Sequence, residues 1–123
     1  MLTSQIMLHD FLPGDFLIFQ LESGFALLRV LDVNQTEGVW HLAAYEDLFI
    51  DPEAADSALE NPEELTVDKP HIALTNRAFE STPVSRMKSA ELTKKDLEAY
   101  ESWKESEEKV VHDRSVRLLL GLR

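Results

Sequence analysis

From Phe16 to Leu21 the chain is apolar or aromatic except at Gln20, and from Phe25 to Val33 it is apolar again, broken only by Arg29 and Asp32. Glu22-Ser23-Gly24 between them is turn chemistry, so the two runs read as a hairpin. Asn34 to Gly38 supplies a second turn, and Val39 to Tyr45 a third strand. In that strand Val39, His41, Ala43 and Tyr45 share one face, and Trp40, Leu42 and Ala44 share the other. Clean apolar–polar alternation is missing from all three runs. Strands covered on both faces have this pattern, as in a small barrel. Pro13-Gly14-Asp15 punctuates the chain ahead of the first run, and residues 1–12 are apolar enough for a short strand or a turn of helix.

Further along, Asp51-Pro52-Glu53 is a helix start, with a capping side chain, a proline at the first helical position and an acid in the first turn. Asn61-Pro62 cuts that helix short. Residues 51–68 hold seven acids and no base, which predicts an exposed acidic insertion between strands. Pro70 to Thr75 returns to strand character. Asn76-Arg77 reads as a turn, and Ala78 to Met87 as one or two short strands with Pro83 at an edge or turn. Thr93, with Asp96 three residues on, forms a capping box opening a helix to about Glu108, whose apolar stripe is Leu97, Tyr100 and Trp103. After Val110-Val111, Asp113 is expected to cap a last short helix carrying Val116, Leu119 and Leu120, stopped by Gly121.

These elements predict one α+β domain over residues 1–123. It comprises four to six antiparallel strands, over about 12–90, in a bent sheet or SH3-like small β-barrel, interrupted by the 51–68 insertion and followed by a helical C-terminal segment over about 93–121. The tail from Val110 is expected either to pack back on the barrel or to dock on a second copy, since its exposed form would be an apolar patch, hence a homo-oligomer through this segment.

Charge changes the picture of partners. Residues 1–68 carry fourteen acids and one base, Arg29, whereas residues 69–123 carry nine acids and eleven bases; the net charge is −11. Such a first half repels polyanions, so nucleic-acid binding is disfavoured, even through Arg86, Lys88, Lys94, Lys95 and the tail arginines. It attracts a protein partner with a basic surface. The chain has no cysteine, which removes disulfides, thiolate chemistry and cysteine-based zinc sites. No run approaches the ~20 apolar residues of a membrane span, and Asp10, Pro13, Gly14 and Asp15 interrupt anything resembling a signal peptide. A cytoplasmic location without membrane attachment is the expectation.

Candidate chemistry is sparse. His9, His41, His71 and His112 form no metal-binding spacing, so neither metal nor cofactor is expected. The four glycines are accounted for by turns and a helix end, and no serine has a nucleophile-elbow context. If His41 and His71 met in space with Arg77 and a carboxylate such as Asp47 or Glu46, a small-molecule-binding or hydrolytic barrel would result. The polar stretch 75–82 offers Asn76, Arg77 and Glu80 as groove-lining residues. The competing structural reading makes Asn76 a turn residue, with Arg77 and Glu80 pairing at the surface or tying the helix to the barrel. Trp40, Tyr45, Tyr100 and Trp103 read first as core residues docking helix on sheet.

The stretch Pro13 to Val33 combines Gly14-Asp15, an apolar strand ending Gln20-Leu21, a turn at Gly24 and a second strand with Arg29-Val30-Leu31. This resembles the opening hairpin of SH3-like small-barrel bacterial proteins, nearest to an immunity-protein family of polymorphic toxin systems. The resemblance covers about a fifth of the chain and implies neutralisation of a partner toxin by binding, without catalysis. It carries over no site residue. The sequence therefore points to a non-catalytic protein-binding module with no catalytic residue, the histidine-based barrel being the alternative.

Overall fold

A computed structural model describes residues 10–121. His9 and the start of the expected 1–12 element lie outside the described residues, as does Arg123. Five strands, β1 (Asp15–Leu21), β2 (Gly24–Asn34), β3 (Val39–Phe49), β4 (Val67–Thr75) and β5 (Ser85–Ser89), form one open antiparallel sheet in the order β4-β3-β2-β1-β5. The first four make a meander, and β5 returns to the free side of β1. Register breaks fall in the β1–β5, β2–β3 and β3–β4 pairings. Bulges at such breaks add local twist and bend the strands. Of the two forms open from sequence, the described strands adopt the bent sheet; β4 and β5 do not pair.

Both faces are covered, and this is why alternation failed as a signal. On one face Leu17, Phe19, Leu28, Val30, Trp40, Leu42 and Leu74 form the main core with Ala78 and Phe79 of α2 (Asn76–Glu80) and Val116 of α4 (Val116–Leu119). Phe79 stacks flat on Trp40 at 4.0 Å, and Phe11 meets both rings edge-on. On the other face, Phe16, Ile18, Leu27 and Tyr45 lie under Ala55 of α1 (Pro52–Ala58) and Leu59, while Leu31 and Ala43 lie under Tyr100 of α3 (Lys94–Glu105). Among the described residues no helix is long and apolar enough to cross a membrane.

The caps at Asp51 and Thr93 form as the sequence predicts: Asp51 accepts from the Ala54 N–H, and Thr93 and Asp96 exchange both bonds of the capping box. Three local expectations are corrected. The 76–80 stretch is helix instead of a turn and strand, because the Thr75 hydroxyl accepts from the Ala78 N–H and starts α2 at Asn76. The helix from Thr93 stops at Glu105, where the single Ser106 O–H is shared between the Trp103 and Glu108 carbonyls and turns the chain away. Ser115, not Asp113, caps the last helix by accepting from the Leu118 N–H. Asp113 is engaged elsewhere, by Thr75 and Arg77.

The tail from Val110 packs back on its own sheet. His112 donates to the Ala73 carbonyl and accepts from the Thr75 N–H, laying one residue of parallel pairing along β4. Val116 is then buried in the core with Leu119 and Leu120 packed against it, leaving Leu118 facing outward.

Gly14 joins the two ends of this architecture. Its N–H donates to the Val30 carbonyl, and its own carbonyl accepts from Ala90. It sits at φ +97°, and a Cβ there would lie 2.5 Å from the Ala90 oxygen. Gly14→Ala is expected to lower unfolding stability by about 2 kcal/mol in a urea titration, combining a backbone strained for an L residue with a clash against another main chain.

Candidate functional site

The alternation of β3 aims His41 at the face that α3 covers, and the β3–β4 register brings His71 beside it. His41 Nδ1 and His71 Nε2 are 3.0 Å apart. The ring centres stand 5.2 Å apart, which is that gap plus a ring radius at each end, and the planes differ by 17°. The imidazoles therefore lie end to end, one donating N–H and the other accepting. Above them α3 delivers both aromatic residues of its stripe: Tyr100 and Trp103 contact both imidazoles at 4.4–5.5 Å between ring centres. The Tyr100 hydroxyl donates to Asp32 Oδ2 at 2.6 Å, and the Trp103 indole N–H to the Val110 carbonyl at 3.0 Å.

Burial dominates the electrostatics here. It pushes His71 down to about 4, with His41 next to it adding to the effect. It lowers His41 as well, against the pull of Asp32. Burial and the bond to Asp32 hold the Tyr100 hydroxyl above its usual value. Near neutrality the pair is uncharged and packed as ring surface. His41 is 2% exposed, so a substrate reaches it only if α3 lifts.

The structure thus brings together His41 and His71 without Arg77, and with a carboxylate other than the two singled out from sequence. Asp47 accepts the Thr66 N–H, and Glu46 is exposed at the far end of β3; the carboxylate beside the histidine cluster is Asp32. Arg77 lies on α2, ion-paired with Asp113, and so joins neither the histidines nor the Glu80 pairing expected from sequence. Asn76 starts α2 and accepts the Trp40 indole N–H at 2.7 Å, and Glu80 ends the same helix, exposed. The 75–82 stretch fastens α2 and the tail to the sheet. Among the described residues no group of three or more metal-ligating side chains converges.

A second feature shares this sheet face. The N-terminal half of α3 and the segment 62–70 stand apart over β2 and β3, leaving an open cleft of about 1010 Å³. Its floor is Leu31, Ala43, Tyr45 and Arg29, and Leu65 stands on one wall. Arg29 is buried, lies over the Phe16 ring at 4.5 Å, and donates to Asp96 Oδ2 and to the Ala90 and Glu91 carbonyls. That leaves Glu63, Glu91 and Glu98 exposed around the opening, their carboxylates, among the described residues, without a hydrogen-bond or ion-pair partner. Residue by residue this cleft was invisible in the sequence. Its one available signal was Arg29, the sole base of the first 68 residues, set inside an apolar strand where a charge requires a dedicated partner.

Comparison with protein-family models, with curated proteins and with solved structures finds no match to this chain.

Proposed function

We propose that the chain is a non-catalytic protein-binding module whose acidic half meets a basic surface on its partner, in the manner the immunity-protein resemblance implies. The observation that carries this reading is the face built by α1 and the 3₁₀ turn at Pro62–Glu64. Glu53, Asp56, Glu60, Glu63 and Glu64 are all exposed there, and among the described residues only Lys88 approaches them, at 3.9 Å from Asp56 and Glu60. A surface of one sign steers association with the opposite sign more than it stabilises the fold. The SH3-like reading is part of this proposal, supported by the antiparallel meander β1 to β4 and the pairing of β5 with β1. A cytoplasmic location belongs to the same proposal.

The test is capture of proteins from the native organism on immobilised chain at low and high salt, beside a Glu53→Lys/Asp56→Lys variant. A specific protein should be retained at low salt and lost from the variant, with the variant's unfolding midpoint unchanged. Retention of nothing under either condition defeats the reading. The alternative, a small-molecule or hydrolytic site, has the His41–His71 contact in its favour; it lacks Arg77 and solvent access to His41.

A further inference from the structure

The cleft under α3 has a chemistry of its own. Its floor is apolar side chain, its only buried cation is already held by Asp96 and two carbonyls, and the three carboxylates at its opening are left without partners. The acids elsewhere that lie near bases are paired: Asp15 and Asp10 hold Arg86, Glu101 holds Lys104, and Asp113 holds Arg77. Lys95, at the same opening, is exposed and leaves the excess negative. Lysine and arginine side chains suit such a site, since their methylene stems lie along apolar surface while the charged end reaches the rim. The volume, about 1010 Å³, is at the upper end of small-ligand pockets and accommodates several residues of extended chain.

We propose that this cleft receives an extended lysine- or arginine-bearing segment of the partner protein, with the basic ends on Glu63, Glu91 and Glu98 and the stems over Leu65, Val67 and Pro70. The proposal rests on the binding-module reading and names its site.

The probes are a short lysine–leucine–serine repeat peptide, its glutamate counterpart, and spermine as a small cation, each titrated into the isotopically labelled full chain and followed by amide chemical shifts. The lysine peptide should shift residues 63–67 and 91–102, and the glutamate peptide should not. Neutralising the rim with Glu63→Gln/Glu91→Gln/Glu98→Gln should weaken the peptide about tenfold, the sum expected of three solvent-exposed charge pairs. Ala99→Phe, which fills the cleft without changing charge, should weaken it comparably. Shifts confined to α1 with no effect of Ala99→Phe would leave the binding-module reading standing and remove the cleft. Spermine binding as tightly as the peptide, or no peptide binding at low salt, also overturns the proposal, while partner capture by the intact protein independently decides the broader reading.

Discussion

Replacing Arg29 with methionine is expected to lower unfolding stability by about 3 kcal/mol, the usual result of removing one member of a buried charge pair. The guanidinium on β2 makes three bonds to the first turn of α3 and the segment leading into it: Asp96 at 3.1 Å, Ala90 at 2.8 Å and Glu91 at 3.4 Å. Methionine keeps an apolar stem but none of those bonds, and it also removes the contact of the guanidinium with the Phe16 ring at 4.5 Å. Asp96→Asn should cost about 1 kcal/mol, because its side chain is 32% exposed and an amide still accepts the Thr93 N–H. Urea titrations of the two variants check the asymmetry. An Arg29→Met loss no larger than that of Asp96→Asn would mean the arginine is not what fastens α3. Lysine is no substitute, since one ammonium cannot reach three acceptors set in a fork.

Acidification is expected to remove up to about 3 kcal/mol between roughly pH 6.5 and pH 4, a loss that begins well above the range in which carboxylates titrate. Burial lowers both His41 and His71, the latter to about 4. In that interval the unfolded chain binds more protons than the folded one. Stability is therefore complete above the unfolded value and falls as pH drops toward the folded one. Asp15 and Asp113, both held below the usual carboxylate range, lose their contribution only at lower pH and do not share this window. Geometry adds to the effect: a second proton on the facing nitrogens puts two N–H groups against each other across 3.0 Å. The groups that face the pair are Tyr100, Trp103, Asp32, Glu37 and Lys104, and none offers a buried anion in direct hydrogen-bond contact with either imidazole. Urea titrations across this range, with Trp103 emission reporting whether α3 lifts first, measure it. A His71→Gln chain should show most of the slope gone; an unchanged slope would assign the acid sensitivity elsewhere.

The architecture was legible where local chemistry and tertiary packing agree. The Glu22-Ser23-Gly24 hairpin, the Asp51 cap and the Thr93–Asp96 box came directly from residue types whose side chains bond their own neighbours. The errors arose where a polar side chain had two possible partners. Thr75 capped α2 when Asn76-Arg77 looked like a turn, and Asp113 was drawn to Arg77 and Thr75, leaving the last helix to Ser115. The histidine contact was conceivable from sequence because period two places His41 on a definite face. Its aromatic cover was not, since nothing local says which sheet face receives Tyr100 and Trp103. The cleft was least legible of all: it is the space between two segments about thirty residues apart in the chain, and no single residue marks it.

The sheet's two outer margins are guarded by different means. Beyond β5 the margin is five residues long and carries Arg86 and Lys88, charges that discourage another strand from joining. Beyond β4, the His112 backbone occupies the Ala73 carbonyl and the Thr75 N–H at the C-terminal end of the strand, groups a foreign strand would otherwise pair with there. The molecule thus comes with its selvedges partly finished: charge along β5 and the tail at the C-terminal end of β4 both oppose extension of the sheet.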